Sequence, residues 1–251
     1  MVNRFEKYQE LHERLFKLKV AKNEHLILPY SHILLSCFCK PRIIFGGEYG
    51  HNKIFINSIQ NSGSGKGKVA ELESQLLRDL GYNVEKVNKF TEAGIIGSIV
   101  GNKIKRGKLA EVDYLDVDEA RTLFTGGDFK GDLLEVYNGY CDSLHVNKVM
   151  QKGNVKYTGK AVVSTSTFYT EKIREVLQTG LIARGFLTYR RFSQEEMKEI
   201  SKETDKLAEV DYLTDIKPLH DEIKYLLNGV DQKQYLVKTK ECDKYVIKKY
   251  C

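Results

Sequence analysis

The chain has 251 residues, 40 basic and 34 acidic side chains, a formal net charge of +6, 41% hydrophobic residues, 20 Gly and 3 Pro. This is enough for one large core without disulfide or metal staples, and it excludes disordered and collagen-like chains. The mild positive charge permits an anionic partner without identifying one, and the longest apolar runs fall far short of the ~20 residues that cross a bilayer.

Residues 3–20 carry Phe5, Tyr8, Leu11, Leu15 and Leu18 at spacings of three and four, which predicts an amphipathic helix. A second apolar segment, Leu26 to Phe38, has Pro29 and Ser31 near its start, as a helix does. Ile43-Ile44-Phe45 and the following glycines mark a short strand or turn, and 53–58 is a compact β-type run. A glycine-rich loop spans Asn61 to Gly67. Val69 to Leu80 then has helical spacing, closed by Gly81, and Tyr82 to Val87 reads as a strand. Strand, glycine loop, helix and strand in succession point to a parallel α/β sheet.

Further along, 109–117 reads as a strand ending at Asp118-Glu119, 131–140 as a helix and 144–158 as a β-hairpin. Ala161-Val162-Val163 begins a strand running into Ser164-Thr165-Ser166-Thr167. A helix is expected over 170–178, a strand over 184–192, and a polar helix over 193–209, opened by Ser193 with Glu196 three residues on. Residues 219–227 form a short helix, and the lysine-rich 232–251 reads as a solvated face or an anion-binding tail. The octamer Lys108–Leu115 recurs letter for letter at Lys206–Leu213. Three segments are expected: helices at 1–50 packing on the core, the core itself at 51–209, and a small appendage at 210–251, short for a winged helix. The opening residues mix charge with apolar character, so no secretory signal and a cytoplasmic location are expected. The five scattered cysteines read as thiols of a reducing compartment.

The sharpest feature is Asn61-Ser62-Gly63-Ser64-Gly65-Lys66-Gly67-Lys68. Bound polyphosphate needs converging backbone N–H groups, which glycines allow, and the positive end of the following helix. Lys66 is placed to reach the β and γ phosphates, and Lys68 fits that role less well. The run departs from G-x-x-x-x-G-K-[ST] twice: Gln60 stands at the first glycine and Gly67 at the Mg²⁺-holding hydroxyl. Phosphoryl transfer to water also needs acids on a neighbouring strand, and Asp118-Glu119 stands about 50 residues further on. His145 and His220 are isolated, and Ser164–Thr167 has no partners for a nucleophile, so a hydrolase triad is excluded.

The order of landmarks, including Thr91–Gly97, Asp118-Glu119-Ala120-Arg121, Leu133–Gly139, Val163–Thr167 and Gly180–Phe186, resembles P-loop ATPases of the RecA/AAA+ type in replication proteins of plasmids and archaeal viruses, DnaA-like or helicase-like. The resemblance covers a little over half the chain. It implies a three-layer P-loop sandwich with a mostly parallel sheet, ATP and Mg²⁺ as ligands, and phosphates held by the 61–68 loop. It further implies Asp118 on Mg²⁺, Glu119 activating water, Ser166 or Thr165 sensing the γ-phosphate, and Arg184 as finger or sensor arginine, with Arg190 and Arg191 as alternatives. The implied function is ATP hydrolysis driving action on DNA by a homo-oligomer, in the host cytoplasm if the chain is viral. The alternative is a nucleotide-switched binding or assembly protein with little turnover, which Gly67 and Gln60 favour. Lys103, Lys105, Arg106 and Lys108 form either a DNA-facing loop or a solvated turn.

Overall fold

The computed structural model describes residues 4–20, 23–38, 42–45, 48–51, 53–88, 91–101, 103–120, 131–150, 153–169, 184–207 and 210–228. The expected helix at 170–178, Arg121, 180–183 and the lysine-rich 232–251 lie outside them.

Two helices open the chain, α1 (Arg4–Lys17) and α2 (Glu24–Phe38), followed by a hairpin of β1 (Arg42–Phe45) and β2 (Glu48–His51). β3 (Phe55–Gln60) leads through the glycine loop into α3 (Lys66–Asp79) and β4 (Val84–Val87). A helical turn, Glu92–Ile96, precedes a second hairpin, β5 (Gly97–Val100) and β6 (Lys103–Arg106). Then come α4 (Lys108–Glu111), β7 (Tyr114–Val117), α5 (Gly131–Ser143), the hairpin β8 (His145–Met150) and β9 (Gly153–Thr158), and β10 (Val162–Thr167). β11 (Phe186–Arg190), α6 (Gln194–Lys206), a turn at Tyr212–Ile216 and α7 (Lys217–Leu227) complete the order.

Five strands form one all-parallel sheet in the order β11-β3-β10-β7-β4. From β3 the chain crosses to the far edge at β4 and works back through β7. It then inserts β10 beside β3 and places β11 on β3's other side. Strand periodicity divides the side chains between two cores. Ile56, Tyr114 and Val162 face α1, α2, α3 and α7, while Phe55, Ile59, Leu115, Val117 and Val163 face α5 and the β8–β9 hairpin. A parallel sheet covered on both faces is an α/β architecture.

Two expectations change. The stretch 109–117 is not one strand: Lys108–Glu111 closes a helical turn that buries Leu109, and the strand begins at Tyr114. Residues 210–228 do not form an appendage, because Ile216, Leu219, Ile223 and Leu227 are buried in the same core as α1 and α3.

The sheet centre is unusually polar. Tyr114 and Ser164 share a 2.7 Å hydrogen bond, and the Ser164 hydroxyl donates to Asp116 Oδ1 at 3.0 Å. Burial pushes the Asp116 carboxyl up to about 6, against the pull of Ser164 and Lys86. An acid raised this way stabilises the fold fully below its unfolded pKa and loses that contribution as pH rises through about 6. Asp116→Asn is therefore expected to gain stability over the native chain progressively between about pH 4 and 7, reaching on the order of 2 kcal/mol. Urea denaturation across that range checks it, and a native-to-variant difference independent of pH would sink it.

Candidate phosphate-binding cleft

In open parallel sheets, ligands bind beyond the carboxyl ends of strands, where successive connections leave in opposite directions. β3 and β10 make such a pair, since the chain leaves β3 towards β4 and leaves β10 towards β11. A cleft of 540 Å³ opens at this end, lined by the glycine loop, Asp118, Glu119 and Ser166.

The loop follows from its residues. Gly63 and Gly65 have φ of +78° and +93°, which side chains with a Cβ rarely adopt. Gly65 also caps α3, and the first-turn N–H groups of Lys66 and Gly67 have no intrahelical acceptor. They point the positive end of a helix into the cleft.

Gln60 explains its own departure from the phosphate-loop pattern. Its buried side-chain oxygen accepts from Asn23 Nδ2 at 2.8 Å and from the Ser64 hydroxyl at 3.0 Å. Asn23 also donates to the Ser64 carbonyl at 2.6 Å. On the other side, Asn61 exchanges two hydrogen bonds with the Phe192 backbone, at 2.8 and 3.2 Å. The loop is thus pinned between the start of α2 and the segment after β11.

Lys66 Nζ donates to the carbonyls of Gln60 and Asn61 at 3.0 and 2.8 Å. Burial lowers its pKa to about 8, with Asp118 and Glu119 opposing the drop. Asp118 follows β7, and the insertion of β10 sets Ser166 beside it. The Ser166 hydroxyl donates to Asp118 Oδ1 at 3.0 Å, and Lys86 Nζ lies 3.3 Å from Oδ2. Burial raises the Asp118 carboxyl, but Ser166 and Lys86 outweigh it and hold the pKa below the usual value. Glu119 sits in the left-handed region at φ 55°, unusual for a residue with a Cβ, and donates its N–H to Asp118 Oδ1 at 3.1 Å. Such conformations concentrate where function fixes the backbone.

The structure brings Ser62 to Lys68, Asp118, Glu119 and Ser166 into one cleft, with Asn61 buttressing the loop. It separates two other expected residues from it. Thr165 faces the opposite side of the sheet, donating to Asn57 Oδ1 at 2.8 Å, because adjacent strand residues alternate. Arg184 precedes the amino end of β11 and pairs with Asp142 at 2.7 Å. The cleft lies at the carboxyl end, roughly 15–20 Å away along the strand. Arg190 binds Glu196 at 2.9 Å and stacks over Phe192, Arg191 lies over Tyr169, and neither lines the cleft. The cations among its described lining residues are lysines. Thr91–Gly97 lies away from it, burying Ile95 and Ile96 under the second face.

Sequence reasoning missed Lys19, Lys86, Thr167, Ile200 and Thr204, which also line the cleft. Only Thr167, next to the polar strand end, carried a signal. Its hydroxyl is buried without a hydrogen-bond partner.

No protein-family model matches the chain, and no curated protein is similar to it at a significant level. Among the described residues no helix is long and apolar enough to cross a membrane.

Unpaired helix-start N–H groups, a buried lysine and the orphaned Thr167 hydroxyl fit a polyphosphate. The fit for Mg²⁺ is narrower. Gly67 has no hydroxyl and Ser64 Oγ is committed to Gln60; of the carboxylates lining the cleft, Glu71 pairs with Lys68, so Asp118 and Glu119 are the ones at the strand end placed for the ion. One or two carboxylates together with substrate phosphates suffice for this ion. No cluster of three metal-ligating side chains occurs among the described residues.

Proposed function

We propose that the chain is a P-loop nucleotide-binding protein of the RecA/AAA+ type that binds ATP in this cleft and hydrolyses it. The observation that carries this reading is the convergence, at the carboxyl end of one parallel sheet, of the Lys66 loop after β3 and the Asp118–Glu119 pair after β7, with Ser166 between them.

The loop N–H groups and Lys66 hold the phosphates. Ser166 and Lys86 keep Asp118 ionised, and Glu119 accepts the proton of the attacking water. Asp118 would hold Mg²⁺, which would supply charge neutralisation for the transferring phosphoryl group. Ser166 and Thr167 are the sensor groups, Ser166 because it already touches Asp118 and Thr167 because its hydroxyl awaits an acceptor. Arg184, paired at the other end of β11, is not part of the site in its own chain.

Action on DNA in plasmid or viral replication extends this reading. Lys103, Lys105 and Arg106 are exposed on β6, a surface suited to phosphate contacts. Lys108 leaves that cluster, being paired with Glu85 at 2.9 Å and Glu111 at 3.1 Å. Steady-state ATP hydrolysis with Mg²⁺, with and without DNA, tests the whole reading. Turnover by the native chain that Lys66→Ala and Glu119→Gln abolish supports it, and DNA stimulation supports the extension.

The nucleotide-switched reading, with little turnover, is favoured by one observation: Gly67 supplies no metal hydroxyl while Lys86 occupies Asp118. The two separate on Gly67→Ser. A Cβ built at Gly67 meets nothing within 4 Å, so a hydroxyl fits there. Gly67→Ser is expected to raise hydrolysis severalfold and to lower the Mg²⁺ concentration giving half-maximal rate. An unchanged rate and Mg²⁺ requirement would show that the missing hydroxyl does not limit the site.

A further inference from the structure

The N-terminal helices lie outside the part of the chain that resembles an ATPase, yet Lys19, just after α1, lines the cleft. After α1, the N–H of Lys19 bonds the Phe16 carbonyl at 3.1 Å and that of Val20 the same carbonyl at 2.8 Å. Val20 is buried, with Cγ1 only 3.4 Å from where a Cβ on Gly65 would lie. Asn23, just before α2, is bolted to Gln60 and Ser64. Lys19, next to the buried Val20, lines the cleft.

Its charge is uncommitted. Of the other lysines there, Lys68 pairs with Glu71 at 3.3 Å, Lys86 pairs with Asp118 at 3.3 Å, and Lys66 binds loop carbonyls. Lys19 makes no side-chain hydrogen bond or ion pair with any described residue. A cation held by a pinned turn beside a loop of unpaired N–H groups is placed for an anion.

We propose that Lys19 is a second phosphate-binding residue, delivered to the bound nucleotide from the end of α1. This rests on the reading of the cleft as a triphosphate site. It gives the Asn23–Gln60–Ser64 network a purpose, because the glycine that Gln60 replaces could not hold the turn in register with the loop.

The test is equilibrium binding of a fluorescent ATP analogue to the full chain, in EDTA and in Mg²⁺, for the native protein, Lys19→Ala, Lys19→Arg and Lys66→Ala. Lys19→Ala is expected to weaken binding about tenfold, the loss of one charge-assisted contact, and to make the salt dependence shallower. Lys19→Arg should stay close to native, and the ligand-free melting temperature of both variants should be unchanged. If Lys66→Ala weakens binding about a hundredfold but Lys19→Ala does not weaken it, the inference fails and the cleft assignment stands. Equal weakening by Lys19→Ala and Lys19→Arg traces the effect to the shape of the turn and also overturns it. If the native chain binds no nucleotide, the cleft assignment and the inference fall together.

Discussion

Lys66→Ala is expected to weaken ATP binding about a hundredfold, since it removes the buried cation placed to meet the phosphates. Lys66 is a buried cation whose intramolecular bonds go to two carbonyls, of Gln60 at the end of β3 and Asn61 at the start of the loop, so the ligand-free protein carries it at a cost. Burial depresses its pKa to about 8 from a usual value of 10.5. A base lowered on folding contributes stability present above its unfolded pKa and lost as pH falls, so at neutral pH the charge disfavours the fold. Lys66→Ala is thus not expected to lower the ligand-free melting temperature. Bound phosphate favours the charged amine, so native affinity should hold steady below about pH 8 and decline above it. The variant should lack that decline. Nucleotide titrations from pH 7 to 9.5 measure both effects. Equal affinity in native chain and variant would remove phosphate binding from the loop.

Glu119→Gln is expected to reduce hydrolysis by about 10²–10⁴-fold, the usual contribution of a general base, while leaving ATP affinity within a few-fold of native. The substitution keeps the shape and length of the side chain and removes its basicity. It also leaves the backbone intact, since Glu119 N–H still meets Asp118 Oδ1 and the φ of 55° is set by the turn after β7. Single-turnover hydrolysis at saturating ATP separates the chemical step from binding. Undiminished hydrolysis in Glu119→Gln would mean that another group accepts the proton. Absence of hydrolysis in the native chain, with binding intact, would select the nucleotide-switched reading.

Much of the local structure was legible in the residues. The period of Val69, Leu72, Leu76 and Leu77 fixed α3, and all four are buried where that period places them. Ser193 and Glu196 form the reciprocal cap expected of their spacing, with bonds of 3.2 and 2.7 Å. The glycine loop and Asp118-Glu119 stood out because their chemistry is local: positive φ needs Gly, and an acid pair at a strand end is visible in the string.

Other features were not local. The octamer Lys108–Leu115 starts in α4 and ends in β7, with Leu115 fully buried in the sheet. The second copy begins at the last residue of α6 and ends in the helical turn at Tyr212–Ile216, where Leu213 is 69% exposed. Identical letters take different structures because β7 is drawn into the sheet by β4 and β10, whereas the second copy meets α3, with Tyr212 bonded to Asp79. Propensity over eight residues is too small a bias to resist such partners.

The sequence by itself determined that the chain is α/β, where its glycine loop and acid pair stand, and which faces of its helices are apolar. Period, glycine and caps act over a few residues and need no partner. Only the tertiary structure decided that β10 lies between β3 and β7. That order places Ser166 rather than Thr165 against Asp118, leaves Arg184 at the far end of the sheet, and lets Lys19 and Asn23 reach the loop from distant sequence. These are matters of strand order and of which face a residue occupies, and both are settled by burial across the whole sheet rather than by neighbours along the chain.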